Sequence, residues 1–355
     1  MGILTLASLG YDEWFEKHAS NLLRDDFFPA RIIEVNRRNF RISDGRREMV
    51  AELSGKFLFT AEDNSVLPTV GDWVVIQAFD DHSTAIIHHV LPRKTLLKRK
   101  EPGKRVDFQL IAANIDYGLI VQPAIARNRN SLERYLVMLN ESAIVPVVVL
   151  SKTDLMDTPE LEDVRRCVAE MEIMYVLSST VAEGGMEPLA GRLESGKTYC
   201  LLGPSGVGKT SLLNRLLGST VLRVNEIREK DGRGKHTTVR RQLLRLESGC
   251  IFIDTPGMRE LGNFEIDNGL EQTFSDIFSY GNRCRFRDCT HTHEKGCALI
   301  EAVQQGNIDA ERYRNYLKIR KESEFYEMSY QEKRKKDKIF GKMVKNYKKL
   351  KSRKN

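Results

Sequence analysis

The stretch Gly203-Pro204-Ser205-Gly206-Val207-Gly208-Lys209-Thr210-Ser211 decides the fold of this chain. It matches the phosphate-loop pattern G-x-x-x-x-G-K-[ST] at every fixed position. Glycines let the backbone turn tightly so that its N–H groups point at phosphate oxygens, and the following helix adds the positive end of its dipole. Lys209 would reach the β- and γ-phosphates, and the Thr210 hydroxyl would ligate Mg²⁺. We therefore expect these residues to bind a nucleoside triphosphate.

The sequence around this loop alternates between strand and helix patterns, as a parallel sheet with crossover helices requires. The predicted strands are 117–121, 144–150, 173–177, 199–202 and 250–254. The predicted helices are 131–140, 159–170 and 210–217. Because binding loops leave the carboxyl ends of such strands, the other motifs should follow these strands directly.

A base-reading motif follows the strand 144–150. Ser151-Lys152-Thr153-Asp154 resembles the [NT]-K-x-D box of GTPases, in which the carboxylate of Asp154 would accept two hydrogen bonds from guanine and the Lys152 stem would lie across the base. Adenine cannot satisfy that carboxylate, so the box discriminates strongly. Ser151 replaces the usual Asn and loses an amide that ties the box to the phosphate loop, which predicts weaker affinity. The alternative is a helix-start turn capped by Thr153 or Asp154.

Two further segments complete the predicted nucleotide site. Ser178-Ser179 follows the strand 173–177, where GTPases place a loop whose backbone contacts guanine. Asp254-Thr255-Pro256-Gly257 is a D-x-x-G motif, in which Asp254 would hold Mg²⁺ and the Gly257 N–H would face the γ-phosphate.

The segment Gly232–Thr238 is glycine-rich and basic, and Thr237 or Thr238 would complete the Mg²⁺ shell. Met258 follows D-x-x-G where a glutamine is usual, and a thioether cannot orient the attacking water. His236 is therefore the leading candidate for that catalytic role, alongside Lys209. The alternative for His236 is a phosphate or RNA contact without a catalytic role.

The order of these motifs is unusual, since the base-reading box precedes the phosphate loop. The sequence is circularly permuted, yet all the loops can still converge on one nucleotide because a site depends on which strand ends are adjacent.

A cluster of cysteines follows the D-x-x-G motif. Cys284-x4-Cys289-x-His291-x5-Cys297 supplies three thiolates and one imidazole, which can close a tetrahedral structural zinc site. His293 is the alternative imidazole. The remaining cysteines are expected to be core thiols: Cys167, Cys200 and Cys250.

The N-terminal part has a different pattern. Residues 11–24 predict an amphipathic helix that packs on the next domain. Short strands at 31–35, 49–53, 73–76 and 85–87 predict a small barrel, either an OB-fold or an SH3-like barrel. Its basic and aromatic residues would contact RNA or form a solvated face: Arg37, Arg38, Phe40, Arg41, Arg46 and Arg47.

Composition and charge limit the class of protein. The 355 residues are 41% hydrophobic and 30% charged, as in a globular protein, and carry a net charge of +7. Residues 331–355 hold twelve Lys or Arg against Glu332 and Asp337, which predicts a basic amphipathic helix that can lie on RNA or on an anionic membrane. We favour RNA, because no lipidation signal accompanies the helix, and the alternative is a solvated tail. Residues 93–105 hold seven basic residues and predict an exposed linker. No membrane segment or signal layout is evident, so we expect a cytosolic protein without a membrane partner.

Taken in order, the barrel, the four GTPase motifs and the Cys-Cys-His-Cys cluster resemble the RsgA (YjeQ) family of circularly permuted bacterial GTPases. The resemblance implies an OB-fold, a permuted P-loop GTPase domain and a mostly helical zinc-binding domain. It also implies a GTPase that hydrolyses GTP to GDP, is stimulated by the small ribosomal subunit, binds its rRNA and acts late in maturation of that subunit. We expect the protein to be a monomer. We expect a helical N-terminal extension at 1–29, the OB-fold barrel at 30–92 and a basic linker at 93–107. The GTPase domain should span 108–262, and the zinc-binding domain with its basic C-terminal helix should span 263–355.

Two other functions remain open at this point. The first is an RNA-binding assembly factor in which the nucleotide is a structural or switching ligand. The second is a P-loop ATPase or kinase with appended binding modules. Hydrolysis measured with GTP and ATP, with and without small ribosomal subunits, separates the three.

Overall fold

A computed structural model describes residues 5–24, 26–36, 39–61, 63–100, 108–169, 171–218, 241–254 and 268–327. The chain divides into two compact units. The first unit is Met1–Lys98 with Leu110–Leu261, and the second is Arg99–Gln109 with Gly262–Asn355. The predicted barrel and the predicted GTPase sheet thus belong to the same unit.

Five strands close the N-terminal barrel, in the order β1-β2-β3-β5-β4 with β4 returning to β1. All neighbours are antiparallel except β3 and β5, which are parallel. This topology is that of the OB-fold, so it decides against the SH3-like alternative. The strands are β1 Phe27–Val35, β2 Phe40–Ser43, β3 Glu48–Leu53, β4 Trp73–Phe79 and β5 Thr84–Val90, with helix α2 Gly55–Thr60 between β3 and β4.

The inward side chains of the barrel strands form its core, and all are buried: Ala30, Ile32, Ile42, Met49, Val74, Ile76 and Ile87. Strand β2 was not among the predicted strands, because its Phe40-Arg41-Ile42-Ser43 sequence is short and half basic or polar. Arg41, expected to contact RNA or to form a solvated face, is half exposed and pairs with Glu34 and Glu48. Arg46 and Arg47 are exposed in the turn before β3, whereas Arg37 and Arg38 lie outside the described residues.

The N-terminal helix α1 spans Glu13–Ala19 and is shorter than the predicted 11–24. Asp12 sets its start, since the carboxylate accepts hydrogen bonds from Trp14 N and Phe15 N at 3.1 and 3.4 Å. Phe15 and Ala19 are buried against Trp73 of the barrel, which confirms that this segment packs on the next domain.

Residues 93–100 are the described part of the segment predicted as an exposed linker, and most of them are structured. Strand β6, Leu96–Lys100, pairs with strand β7, Phe108–Ala113. Arg93 is mostly buried, and its guanidinium binds the Asp72 carboxylate through Nε and Nη2, both at 2.8 Å. Among the described basic residues, Lys98, Arg99 and Lys100 lie in a strand and Arg93 lies in a buried ion pair, which the charge count could not distinguish from a solvated linker.

The central sheet has the five predicted parallel strands in the order β10-β9-β8-β11-β13. These are β8 Tyr117–Pro123, β9 Val145–Ser151, β10 Tyr175–Leu177, β11 Thr198–Leu202 and β13 Ile251–Asp254. The first unit also contains helices α3 Arg129–Glu141, α4 Thr158–Ala169, α5 Glu187–Ala190 and α6 Lys209–Leu217. Their apolar faces pack on strands whose core residues are buried, as in Val149, Tyr199 and Phe252.

One strand of this sheet was not predicted. Strand β12, Arg241–Arg245, runs antiparallel to β13 and also pairs with β1, where Glu34 faces Gln242 and Val35 faces Arg241. The barrel and the GTPase sheet are therefore one continuous sheet of eleven strands.

The second unit is mostly helical, as predicted, with α7 Asn268–Thr273, α8 Ser275–Gly281, α9 Ala298–Gln304 and α10 Ala310–Glu327. Phe274 and Ile277 are buried with Tyr316 and Ile319 of α10, and Arg312 binds the Asp276 carboxylate with contacts of 2.9 and 2.8 Å. The predicted basic tail helix at 331–355 lies outside the described residues. Among the helices that are described, none is long and apolar enough to cross a membrane.

Candidate nucleotide site and metal cluster

The phosphate loop lies between β11 and α6, at the carboxyl edge of the sheet, as predicted. Gly203 has φ 137°, and a Cβ there would lie 2.4 Å from the Val121 carbonyl oxygen. Gly206 and Gly208 have φ 80° and 96°, and a Cβ at either position would meet no atom within 4 Å. The loop thus needs glycine at 203 for both space and backbone conformation, and at 206 and 208 for conformation alone.

Lys209 begins α6, and Thr210 and Ser211 follow in its first turn. The Lys209 ammonium donates hydrogen bonds to the carbonyls of Gly203 and Pro204 at 2.6 and 2.7 Å. Its charge is therefore held over the loop. Ser205 is exposed at the tip of the loop, whereas Val207 is buried in the sheet core.

The base-reading box begins at the last residue of β9, Ser151, and continues into a 3-10 turn at Thr153–Leu155. Lys152 takes a left-handed conformation with φ 61°. The Asp154 carboxylate accepts a hydrogen bond from the Ser179 hydroxyl at 2.5 Å, and the Thr153 hydroxyl donates to the Ser178 carbonyl at 3.2 Å. The two segments predicted to surround one base are therefore in contact.

Ser151 still joins this box to the phosphate loop. Its hydroxyl lies 3.3 Å from the Val207 carbonyl and 3.3 Å from the Gln122 carbonyl, so it can donate to either. The Ser151 hydroxyl therefore keeps a link between the box and the phosphate loop, although the sequence predicted that this link would be lost with the amide of the usual Asn.

Asp254 ends β13, next to the strand that leads into the phosphate loop, since Cys200 of β11 pairs with Ile253. Burial raises the pKa of the Asp254 carboxyl above its usual value. The remaining predicted residues lie outside the described residues: His236, Thr237, Thr238, Gly257 and Met258.

Sequence reasoning missed one residue beside the loop, Tyr135 of α3. Its hydroxyl lies near the Gly203 backbone, and burial raises the pKa of this phenol to about 12. Tyr135 lies on an apolar helix face, where nothing in the sequence distinguishes it from a core aromatic residue.

The second unit brings together Cys284, Cys289, His291 and Cys297, whose ligand atoms all lie within 4.8 Å of one another. This cluster could hold a metal ion. His291 Nδ1 is 3.5 Å from the sulfurs of both Cys284 and Cys297. His293, the alternative imidazole, instead contacts the Thr292 hydroxyl and is exposed.

The backbone at His291 is in the left-handed region and is hydrogen-bonded to α10. His291 has φ 61°, and the Tyr313 hydroxyl of α10 donates to its carbonyl.

The other two described thiols, Cys200 and Cys250, are fully buried in the sheet of the first unit, as expected for core cysteines.

Comparison with known proteins agrees with this geometry. Residues 90–264 match the family model described as RsgA GTPase. A protein of Lactiplantibacillus plantarum named small ribosomal subunit biogenesis GTPase RsgA 2 is 39% identical over 305 residues, 85% of this chain and 84% of its own. The chain belongs to the RsgA GTPase family.

Solved structures of this kind support the same assignment. YjeQ from Thermotoga maritima matches with a TM-score of 0.62 and 27% identity, over 84% of this chain and 98% of its own. YloQ, described as a circularly permuted GTPase, matches with a TM-score of 0.60 and 25% identity, over 84% of this chain and 96% of its own. This RsgA-family chain is thus a GTP hydrolase with permuted motifs, built from an OB-fold barrel, a GTPase sheet and a helical unit with a Cys₃His cluster.

Proposed function

We propose that this protein binds the small ribosomal subunit, is stimulated by it, and hydrolyses GTP to GDP and phosphate late in maturation of that subunit. The observation that carries the proposal is the joining of the base-reading box to the phosphate loop through Ser151 and to the Ser178-Ser179 loop through Asp154. These contacts make one guanine-nucleotide site, in a chain whose relative is named for small-subunit biogenesis.

In this site the backbone N–H groups of 203, 205–208 and Ser211 would bind the phosphates, together with the Lys209 ammonium. Pro204 would shape the loop, since it has no N–H to donate. Asp154 would read the guanine edge, and Lys152 would cover the base. Thr210, Asp254 and either Thr237 or Thr238 would hold Mg²⁺, which neutralises charge on the β- and γ-phosphates. Gly257 would contact the γ-phosphate.

The catalytic water would be positioned by His236, since Met258 has no hydrogen-bonding group for it. The Lys209 charge would stabilise the transferred phosphoryl group. His236 is the single residue in this scheme that acts on the water, so its replacement should lower turnover more than nucleotide affinity.

The Cys₃His cluster would hold one structural zinc ion. A tetrahedral zinc site has about 3.8 Å between sulfurs and about 3.5 Å between sulfur and nitrogen, given Zn–S and Zn–N bonds of about 2.3 and 2.0 Å. The Cys284 and Cys297 sulfurs are 3.7 Å apart, and each is 3.5 Å from His291 Nδ1. Four protein ligands leave no open position, so the ion would stabilise the fold and not act on substrate.

The RNA-binding surfaces would be the exposed Arg46-Arg47 turn of the barrel and the basic residues 331–355, which match the phosphate charge of rRNA. We expect a monomer that works in the cytoplasm, where small ribosomal subunits mature.

The proposal is tested by measuring GTP hydrolysis with and without purified small ribosomal subunits, with ATP as the control nucleotide. We expect the subunits to stimulate GTP turnover roughly tenfold or more and to leave ATP turnover unchanged. Equal slow rates with and without subunits would contradict the proposed ribosomal partner. They would favour the alternative in which the nucleotide is a structural ligand.

The same assay tests the base-reading box through Asp154→Asn, because an amide at 154 pairs with xanthine better than with guanine. Preference should move toward xanthosine triphosphate by about a hundredfold or more. Asp163→Asn makes the same change on exposed α4 and should leave the preference for GTP unchanged. If Asp154→Asn behaves like this control, residues 151–154 do not read the base.

A further inference from the structure

A cavity lies at the edge of the sheet opposite the phosphate loop. Its volume is about 470 Å³, within the range of small-molecule sites. Three parts of the first unit line it: the N-terminal segment at Tyr11 and Phe15, the barrel at Arg31 and Trp73, and the amino ends of β8, β9 and β11. Strand β11 is five residues long, so about 16 Å separates the cavity from the nucleotide site.

Arg31 provides a buried positive charge in the wall of this cavity. The side chain is 1% exposed, and its guanidinium donates to the carbonyls of Leu9, Gly71 and Asn114 and to the Thr198 hydroxyl. All four of these acceptors are neutral. Burial lowers the pKa of Arg31 to about 10, so the side chain is still a cation at neutral pH.

The two carboxylates whose charge Arg31 feels are Asp72 and Asp116. The Asp72 carboxylate accepts hydrogen bonds from Nε and Nη2 of Arg93, and the Asp116 carboxylate lies 3.6 Å from the Lys197 ammonium. Each acid therefore has another cation to neutralise, so among the described residues the Arg31 charge has no anion of its own.

Two hydrogen-bond donors in the same wall also lack an acceptor among the described residues. They are Trp73 Nε1, on a fully buried side chain, and the Tyr11 hydroxyl. The two rings pack edge to face with centroids 4.8 Å apart, so both donors belong to one aromatic surface. Burial and the nearby Glu16 and Asp12 charges raise the pKa of Tyr11, which keeps it a neutral donor.

The exposed part of the cavity holds two ion pairs, so its charges balance and the net positive charge of the lining comes from Arg31. Lys94 lies over the Phe15 ring at 4.7 Å and pairs with Asp12, and Lys197 pairs with Asp116. The lining thus holds three cations, Arg31, Lys94 and Lys197, against two carboxylates. A ligand that supplies an acceptor and a negative charge would satisfy Arg31, Trp73 and Tyr11 together.

We propose that this cavity binds a small organic anion, a carboxylate or a phosphate carried on a flat aromatic body. The anionic group would accept hydrogen bonds from Trp73 Nε1 and the Tyr11 hydroxyl, near the Arg31 and Lys94 charges. The aromatic body would pack on the rings of Phe15, Tyr11 and Trp73. This site is separate from the nucleotide site and does not depend on the ribosomal partner.

The test uses the intrinsic fluorescence of the full chain, whose two tryptophans are Trp14 and Trp73. Trp73 lines the cavity and Trp14 packs on Phe15, with ring centroids 5.0 Å apart, so both report on it. The probes are benzoate and phenyl phosphate, with benzamide as the neutral control. Saturating GDP with Mg²⁺ keeps phenyl phosphate out of the phosphate loop. We expect saturable binding of the anions and at least roughly tenfold weaker binding of benzamide.

Two variants locate the binding, with calorimetry as the readout because one of them removes a fluorophore. Trp73→Phe keeps an aromatic ring but removes the Nε1–H donor. Lys94→Gln removes a positive charge from an exposed residue. Each variant should weaken anion binding roughly fivefold or more. Lys56→Gln, on exposed α2 of the barrel, is the matched control and should have no effect. The proposal is overturned if neither anion binds below about 10 mM, if benzamide binds equally well, or if all three variants bind alike. Preference for benzoate or for phenyl phosphate decides which anionic group the site takes.

Discussion

Ser151 lies at the junction of the base-reading box and the phosphate loop, 3.3 Å from the Val207 carbonyl. The residue is buried, so an unpaired carbonyl there would lose a hydrogen bond that water cannot easily replace. A hydroxyl can therefore supply the connection for which an amide is usual, although the same hydroxyl can also turn to Gln122.

Ser151→Ala should weaken GDP binding about two- to tenfold, because it removes that hydrogen bond while keeping the strand. Titration with a fluorescent GDP analogue measures the affinity. Ser151→Asn is the control, and it should bind GDP at least as tightly as the natural chain. An unchanged affinity in the alanine variant would mean that the hydroxyl serves Gln122 alone.

Asp254 is a residue whose charge opposes folding in the absence of a cation. Burial raises the pKa of its carboxyl, so ionisation at neutral pH costs folding free energy, and that cost disappears as pH falls through the raised pKa. Asp254→Asn should therefore raise the Tm of the nucleotide-free protein at pH 7, by an amount that shrinks toward acidic pH.

The same variant should lower Mg²⁺-dependent GTP turnover about tenfold or more, since an amide is a poorer ligand for this ion. Thermal denaturation across pH, together with hydrolysis at pH 7, measures both effects. A lower Tm in the variant at pH 7 would show that the carboxylate stabilises the fold instead.

At the scale of elements, the phosphate loop differs from two of the strands that were not predicted, β2 and β12. The loop is determined locally, because its glycines adopt φ values that other residues avoid. Strands β2 and β12 have mixed polar sequences and form because a partner strand lies on each side of them. Pairing with distant strands outweighs their weak intrinsic preference.

The phosphate loop predicts unequal costs for two glycine substitutions. Gly203→Ala should destabilise the protein by about 3 kcal/mol or more, since backbone strain adds to the overlap with Val121. Gly206→Ala meets no neighbouring atom and should cost about 1 kcal/mol. Urea denaturation measures both, and equal losses would contradict the close approach of Gly203 to β8.

At the scale of the whole molecule, the chain is organised as two units with separate sources of stability. The first has a large buried core that runs through the barrel and the GTPase sheet. The second has short helices, apart from α10, around the Cys₃His cluster. A structural ion would supply much of the folding free energy of so small a core.

Removal of metal by a chelator should therefore unfold the second unit and leave GDP affinity within about twofold of its starting value. Circular dichroism measures the lost helix, the fluorescent GDP analogue measures the nucleotide site, and added Zn²⁺ should restore the helix. Loss of GDP affinity in parallel with the helix would contradict independent stabilisation of the two units.

The amino-acid sequence alone determined the features that depend on neighbouring residues. The phosphate loop, the strands and helices around it, the permuted order of motifs and the Cys284 to Cys297 spacing all follow from local pattern. These could be predicted because backbone conformation and ligand spacing are short-range properties.

Tertiary structure decided what depends on residues far apart in the chain. It selected the OB-fold over the SH3-like barrel through the parallel pairing of β3 with β5, and His291 over His293 in the cluster. It paired β12 with β1 and placed Arg93 in a buried ion pair with Asp72. It also buried Arg31 among carbonyls from three distant positions in the chain. Such contacts follow from long-range packing and desolvation, which no local pattern of residues encodes.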